Sequence, residues 1–417
     1  MTFTGNKKIT VVMLVQSLPP LPAGGAERNA MVLGKKLSEK GIHVSFITPG
    51  VGKVKGKKIL GDIEIYYLHS WFNYLLDFLF VIKKKSRSNQ IKIEYDDAAE
   101  KTNEITAGIG LGARLRYLLF LINAFFFLKK RKHEIDLIHV HTIEWPAYVG
   151  AWLSRKFEKK LVIKDSTMNG IFNILRYPSG RQKQELIISE GHFIAMTRVI
   201  HSNFLAAGIR EENITMIPNG IEITDAEKNN AAAVGFKVIF VGNLYQQPAK
   251  GVDILLKAWY QVQLRFPQAI LQIVGEGNLS AYEAYSKKIG TASSVQFLGK
   301  RNDIGQLLLQ SDVFVLPSRR EGMPNALIEA MLKAMPCIAT DISGCRDLIT
   351  NRVNGLLVPP ANIDLLGDAI IHMLEHPDEA RKMGKKARET VCEKLDINLV
   401  AHQYIRLYRN LLDTQSK

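Results

Sequence analysis

The chain has 417 residues, 47% of them hydrophobic, which is too long for one ordinary core and points to two globular domains. Its net charge of +15 is uneven: residues 1–216 carry 32 Lys+Arg against 19 Asp+Glu (+13), and residues 217–417 carry 23 against 21 (+2). A basic first half suits an anionic partner. Membrane headgroups or a phosphorylated substrate are favoured over nucleic acid, because neither an aromatic-interleaved RNA motif nor zinc-finger spacing occurs.

The three cysteines, Cys337, Cys345 and Cys392, lack pairing or metal-ligand spacing, as expected in a reducing compartment. The opening KKITVVMLV superficially resembles a signal peptide. Its apolar run is short and β-branched and leads into a helical pattern, so a first buried strand over 9–15 is expected. No apolar run reaches the roughly 18–20 residues of a membrane-spanning helix.

In chain order, strand 9–15 is followed by a Pro- and Gly-rich loop, a helix ending near Gly41 and strand 42–48. Gly24 and Gly25 sit at the first turn of this β-α-β unit, where a ligand can approach the backbone. One strand is expected over 59–68. Residues 71–85, aromatic and ending in Lys83, Lys84 and Lys85, fit an interfacial membrane contact. The segment 114–132 is apolar nearly all round between basic ends, which suits a core helix or, alternatively, one facing lipid. Strand 136–141 ends in His139 and His141, which share a face. With no third ligand at metal spacing, His141 reads as a structural or substrate-contacting residue. Strands 161–165 and 192–197 follow, with Arg198 opening a helix, and IPNG at 217–220 punctuates the boundary.

The second half alternates again, with strands at 237–242, 269–275, 294–299, 312–317 and 336–340. The expected division is 1–216, 217–397 and a terminal helix, 398–417, packing back toward the first domain, with 71–132 as a basic and aromatic membrane-facing region. Four strand-end turns concentrate chemistry. Gly242 and Asn243 lead to Lys250, a point charge for phosphate. Gly275-Glu276-Gly277 and Leu298-Gly299-Lys300 are the second and third turns. The fourth, PSRREGMPNALIEAM (317–331), places Glu321 in a loop, lets Pro324 open a helix, and puts Glu329 further along it. Free N–H groups of that first turn favour an anion. Singly, each turn is commonplace, and Glu321 and Glu329 could be surface residues.

Together, VGNLYQQPAKGVDILLKAW, LQIVGEGNL, VQFLG, SDVFVLPSRREGMPNALIEAM, SGCRDLI and NGLLVPP, with GGAERN, DLIHVH and IPNGIE in the first half, resemble the retaining glycosyltransferases of family 4. The resemblance implies a GT-B fold, two facing Rossmann-like doubly wound α/β domains around an interdomain cleft. It implies a nucleotide-sugar donor in the second domain and a glycan or lipid-linked acceptor in the first, with neither cofactor nor metal. On this resemblance Glu321 contacts the transferred sugar, Glu329 the ribose, and Lys250 the diphosphate. Gly322, Met323, Pro324 and Asn325 border the donor with Asn243, Gly275 and Leu298; Gly25 closes on the phosphates; His141 and Arg198 are acceptor-side candidates. The donor constellation together with the basic, aromatic first half leads to the expectation of a cytoplasmic protein, peripheral at the inner face of the plasma membrane on its anionic surface. The chain departs from the family in having Asn243 where an Arg is common, with Arg301 or Arg319 as possible substitutes. It also has Lys164, Asp165 and Ser166 where many members place a His after the strand. An epimerase or hydrolase of the same fold, or a non-catalytic membrane-docked subunit, is the alternative reading.

Overall fold

The computed structural model describes residues 8–21, 24–50, 54–69, 111–166, 168–176, 179–225, 236–245 and 249–414. The aromatic segment 71–85 and most of the region following it lie outside these. The chain divides into two units, one of residues 1–196, 200–217 and 400–417, the other of Thr197–Val199 and Pro218–Leu399.

The first unit contains, in order, β1 (Thr10–Leu14), α1 (Gly25–Glu39), β2 (His43–Pro49), β3 (Gly56–Leu60), β4 (Ile63–Leu68), α2 (Leu111–Arg131), β5 (Leu137–Val140), α3 (Trp145–Phe157), β6 (Lys160–Lys164), α4 (Gly170–Asn173), α5 (Gly180–Glu190), β7 (Gly191–Ala195), α6 (Arg198–Ala206) and β8 (Ile214–Met216). Its sheet runs β3-β4-β2-β1-β5-β6-β7-β8 and is parallel except for the β3–β4 pair. The single strand expected over 59–68 is therefore a hairpin. Gly61, in the left-handed region at φ 60°, turns the chain between β3 and β4. The fully covered runs Val11–Leu14 and Leu137–Val140 reflect helices on both sheet faces.

The second unit contains β9 (Lys237–Val241), α7 (Val252–Arg265), β10 (Ile270–Val274), α8 (Leu279–Lys288), β11 (Val295–Gly299), α9 (Ile304–Leu309), β12 (Val313–Leu316), α10 (Asn325–Leu332), β13 (Cys337–Thr340), α11 (Ser343–Arg346), β14 (Leu356–Val358), α12 (Ile363–Glu375) and α13 (Pro377–Leu395). The last helix, α14 (Ile397–Asp413), belongs from Val400 onward to the first unit. The second sheet is entirely parallel, in the order β11-β10-β9-β12-β13-β14. Counted from β9, this is the doubly wound order 3-2-1-4-5-6, and strand succession reverses between β9 and β12. Ligands in open α/β sheets bind outside the carboxyl ends at such a point.

α14 is held to the first unit by aromatic rings. Tyr404 and Tyr408 are fully buried, and the Tyr408 hydroxyl hydrogen-bonds His139 Nδ1 at 2.7 Å. His141 packs against His139 with ring centroids 4.1 Å apart and planes tilted by 33°. The Nε2 atoms of both histidines have no hydrogen-bond partner. Burial, reinforced by the neighbouring Lys164, presses both imidazoles well below their usual pKa of 6.5. The folded chain therefore holds them neutral, while the unfolded chain takes up protons below about pH 6.5. Stability should fall as pH drops through that range, by up to about 1.4 kcal/mol per pH unit for each ring. Urea unfolding between pH 7.5 and 5.5 checks this: His141→Leu should flatten the dependence, and parallel curves for the two proteins would refute it.

Candidate active site

The four strand-end turns of the second unit are laced together by backbone bonds at the carboxyl edge of the sheet. Gly242 N–H donates to Val274 O at 3.0 Å, Leu244 N–H to Glu276 O at 2.9 Å, Gly275 N–H to Gly299 O at 2.9 Å, and Arg319 N–H to Ala249 O at 2.8 Å. Such approaches need bare backbone. A Cβ on Gly275 would lie 1.8 Å from Gly242 O, and one on Gly251 1.9 Å from Pro317 O. Gly251 also has φ +66°, the left-handed region that L side chains rarely adopt. Gly344, at the start of α11, backs the fourth turn; its Cβ would lie 2.3 Å from Gly322 O.

Lys250, from the loop after β9, and Glu321, from the loop after β12, meet across the strand-order reversal. Lys250 Nζ lies 2.7 Å from Glu321 Oε1, with side chains 16% and 11% exposed. Ser318 Oγ donates to the same oxygen at 2.7 Å, and the Ser318 carbonyl accepts from Thr340 Oγ1. The carboxylate is thus held by two donors in a mostly dry setting, where a charged hydrogen bond is strong. α10 starts beside it. Pro324 is the N-cap (φ −78°, ψ 103°) and Asn325 the first helical residue, so the proline stands just ahead of the helix rather than opening it. Its extended backbone leaves the helix to begin one residue later. Glu329 lies four residues after Asn325, on the same helical face, and is half-buried.

Gly322, Met323, Pro324, Asn325 and Glu329 therefore share the edge with Lys250, Glu321 and Gly275, and Leu298 reaches it from the penultimate position of β11. Asn243 is exposed, and its Oδ1 accepts from Tyr245 N–H at 2.9 Å. Neither arginine considered as a substitute for a cation there is uncommitted. Arg319 forks onto Asp253 at 2.8 and 2.6 Å, and Arg301 onto Asp303 at 2.9 and 2.6 Å. Lys250 is consequently the cation beside Glu321.

One residue escaped the sequence reading. Asn219 is 4% exposed; its N–H meets Met323 Sδ at 3.2 Å and its Nδ2 donates to Asn325 Oδ1 at 3.2 Å. It pins the entry to α10. In the sequence, Asn219-Gly220 reads as boundary punctuation, and nothing local reveals a partner about a hundred positions away.

The acceptor-side expectations change. His141 is 2% exposed and packed against His139 in the core of the first unit, so it presents almost no surface to a substrate. Arg198 groups with the second unit: its N–H donates to Asp347 Oδ2 at 3.1 Å and its side chain is 91% exposed. Gly25 opens α1 in the first unit, where Glu27 caps the Gly24 N–H at 2.9 Å. In place of the family's His, burial pushes Lys164 down to about 7, and the buried Asp165 accepts from Gly170 N–H at 3.0 Å. Among the described residues no cluster of His, Cys, Asp and Glu is arranged to hold a metal ion.

Residues 235–376, the body of the second unit, match the family described as Glycosyl transferases group 1. A phosphatidyl-myo-inositol mannosyltransferase of Mycobacterium leprae is 29% identical over 68% of this chain and 76% of its own length. Two further curated relatives, at 32% and 30% identity, are matched over only 46% and 55% of their lengths. Sucrose-phosphate synthase from Thermosynechococcus elongatus superposes with a TM-score of 0.77 over 98% of this chain and 100% of that one, at 19% identity. Anabaena HepE in complex with UDP-glucose gives 0.71 over 96% and 100%, also at 19%. The architecture is the GT-B fold. Over the second unit the chain is similar to the group 1 glycosyltransferases.

If the close packing of the turns holds the site, Gly251→Ala should cost about 2–3 kcal/mol through strain and overlap with Pro317. A shifted urea midpoint at unchanged slope checks it; an unshifted midpoint would mean that the loop simply moves aside.

Proposed function

We propose that this protein is a retaining glycosyltransferase that moves a hexose from a nucleoside diphosphate sugar to a glycan or lipid-linked acceptor in polysaccharide or glycolipid biosynthesis. The observation that carries the reading is the Lys250–Glu321 pair at the strand-order reversal, beside the start of α10. Loss of a nucleoside diphosphate develops negative charge, and a preorganised lysine with backbone N–H donors stabilises it. Met323 and Asn325 lie where their N–H groups can border that charge, and Glu329 where it can take ribose hydroxyls. In the structure Glu321 engages the lysine. Donor binding exchanges that partner: the diphosphate takes Lys250, and Glu321 turns to the sugar, whose transition state gains positive character and favours a nearby carboxylate. The leaving phosphate helps deprotonate the acceptor on the same face, which retains configuration. No metal is required, because Lys250 and the N–H groups meet the leaving charge.

The relatives support this reading in kind. The M. leprae protein is named for a phosphatidylinositol acceptor, and HepE is solved with UDP-glucose. By the same analogy we place the protein in the cytoplasm, peripheral to an anionic membrane; no helix among the described residues is long and apolar enough to cross one.

Two measurements test the exchange. Glu321→Ala should keep the fold and lose at least a thousandfold in transfer, roughly 4 kcal/mol of transition-state stabilisation. Glu321→Gln should bind the cognate nucleoside diphosphate several-fold more tightly in calorimetry, since Lys250 no longer has a competing carboxylate, while Lys250→Ala should weaken it at least tenfold. Wild-type turnover in Glu321→Ala would sink the proposal. Rapid release of free sugar without acceptor would favour a hydrolase, and no binding of any nucleoside diphosphate a non-catalytic subunit.

A further inference from the structure

Residues 249–253, which carry Lys250, are gripped by the loop after β12. Arg319 N–H donates to Ala249 O at 2.8 Å, and Gly251 lies so close to Pro317 that a Cβ on it would be 1.9 Å from the Pro317 oxygen. Those contacts are made by backbone. Side chains add two more, Lys250 on Glu321 and a fork of Arg319 on Asp253. Arg319 Nη1 donates to Asp253 Oδ1 at 2.8 Å and Nη2 to Oδ2 at 2.6 Å, so the guanidinium sets the carboxylate's orientation as well as its position. The two side chains are 31% and 17% exposed. Asp253 stands in the first turn of α7, a favourable place for an anion, and Gly251 is the N-cap of that helix, with no side-chain hydrogen bond at the cap. The fork therefore closes on a helix start that has no side-chain cap of its own, immediately after Lys250.

We propose that Arg319 and Asp253 are a positioning pair, a brace that keeps Lys250 aimed along the carboxyl edge when Glu321 lets it go. The inference rests on the reading that a nucleoside diphosphate takes Lys250 from Glu321. During that exchange one of the two side-chain links between the loops opens, and the fork is the one that stays. A lysine is a point charge on a flexible stem, so its use to a leaving group depends on where its backbone is held. A misplacement of about 1 Å at a reacting centre costs on the order of a hundredfold in rate. Arg319 thus acts through Lys250 and not as a second cation on the diphosphate, because its planar fork is already matched to a carboxylate.

Asp253→Asn and Arg319→Lys, each checked for a cooperative thermal melt, test the brace in two ways. The first needs no ligand. Hydrogen exchange followed by mass spectrometry should show the amides of residues 249–255 exchanging about tenfold faster in both variants than in the wild type. The second is calorimetry with UDP, GDP and ADP. Whichever nucleotide binds the wild type should bind Asp253→Asn about tenfold more weakly, although a negative charge near the site has been removed. In a Lys250→Ala background the same substitution should change the affinity no further, because its effect runs through that lysine. Unchanged exchange in both variants overturns the proposal. Tighter nucleotide binding by Asp253→Asn, or a loss that adds in full to that of Lys250→Ala, also overturns it, since either result makes Arg319 a direct partner of the diphosphate. No binding of any of the three nucleotides by the wild type, with exchange faster in the variants, would count against the transferase reading and leave the brace standing.

Discussion

The site depends on how closely bare backbone can be stacked at one edge of a parallel sheet. Gly251, Gly275 and Gly344 let the backbones of successive turns approach at distances no side chain would permit. That packing sets the loop after β9 against the loop after β12, and so brings Lys250 onto Glu321. The strand order does the rest. In the second sheet strand succession reverses between β9 and β12, the kind of point outside which open α/β sheets hold ligands.

The pair's own environment explains why it is poised rather than inert. Lys250 and Glu321 are mostly covered, so their attraction is weakly screened, yet each keeps a margin of exposure through which a ligand can enter. Ser318 holds the carboxylate from the protein side and Asn219 pins the start of α10 from the unit boundary. Arg319 and Arg301, by contrast, are spent on Asp253 and Asp303. Asn243, neutral, accepts from Tyr245 N–H, which leaves Lys250 as the cation that meets Glu321 among the described residues.

The first unit uses the same topology differently. At the end of β5 stand buried neutral imidazoles, and α14 closes over them with Tyr404 and Tyr408. Polar groups that look functional in sequence here lock an aromatic helix to a sheet.

Alternation of β-branched runs with helical periodicity showed two doubly wound domains in the sequence alone, because burial on both faces of a parallel strand imposes near-continuous apolar segments. The four glycine-bearing turns, Lys250, Glu321 and Glu329 were also legible, since strand–turn–helix order in an α/β domain places each turn at the carboxyl edge. Three things were not. Whether His141 faced a ligand or the core depended on α14, more than 250 positions away. Whether Arg301 or Arg319 was available depended on which aspartates reach them: Asp303, two positions along, and Asp253, 66 positions away. Whether α2 was inside or outside depended on which of its two equally apolar sides met the sheet, and a helix apolar all round carries no periodicity to tell. Local pattern decides what a segment can form; only the packing of distant segments decides what each polar or apolar face is left to do.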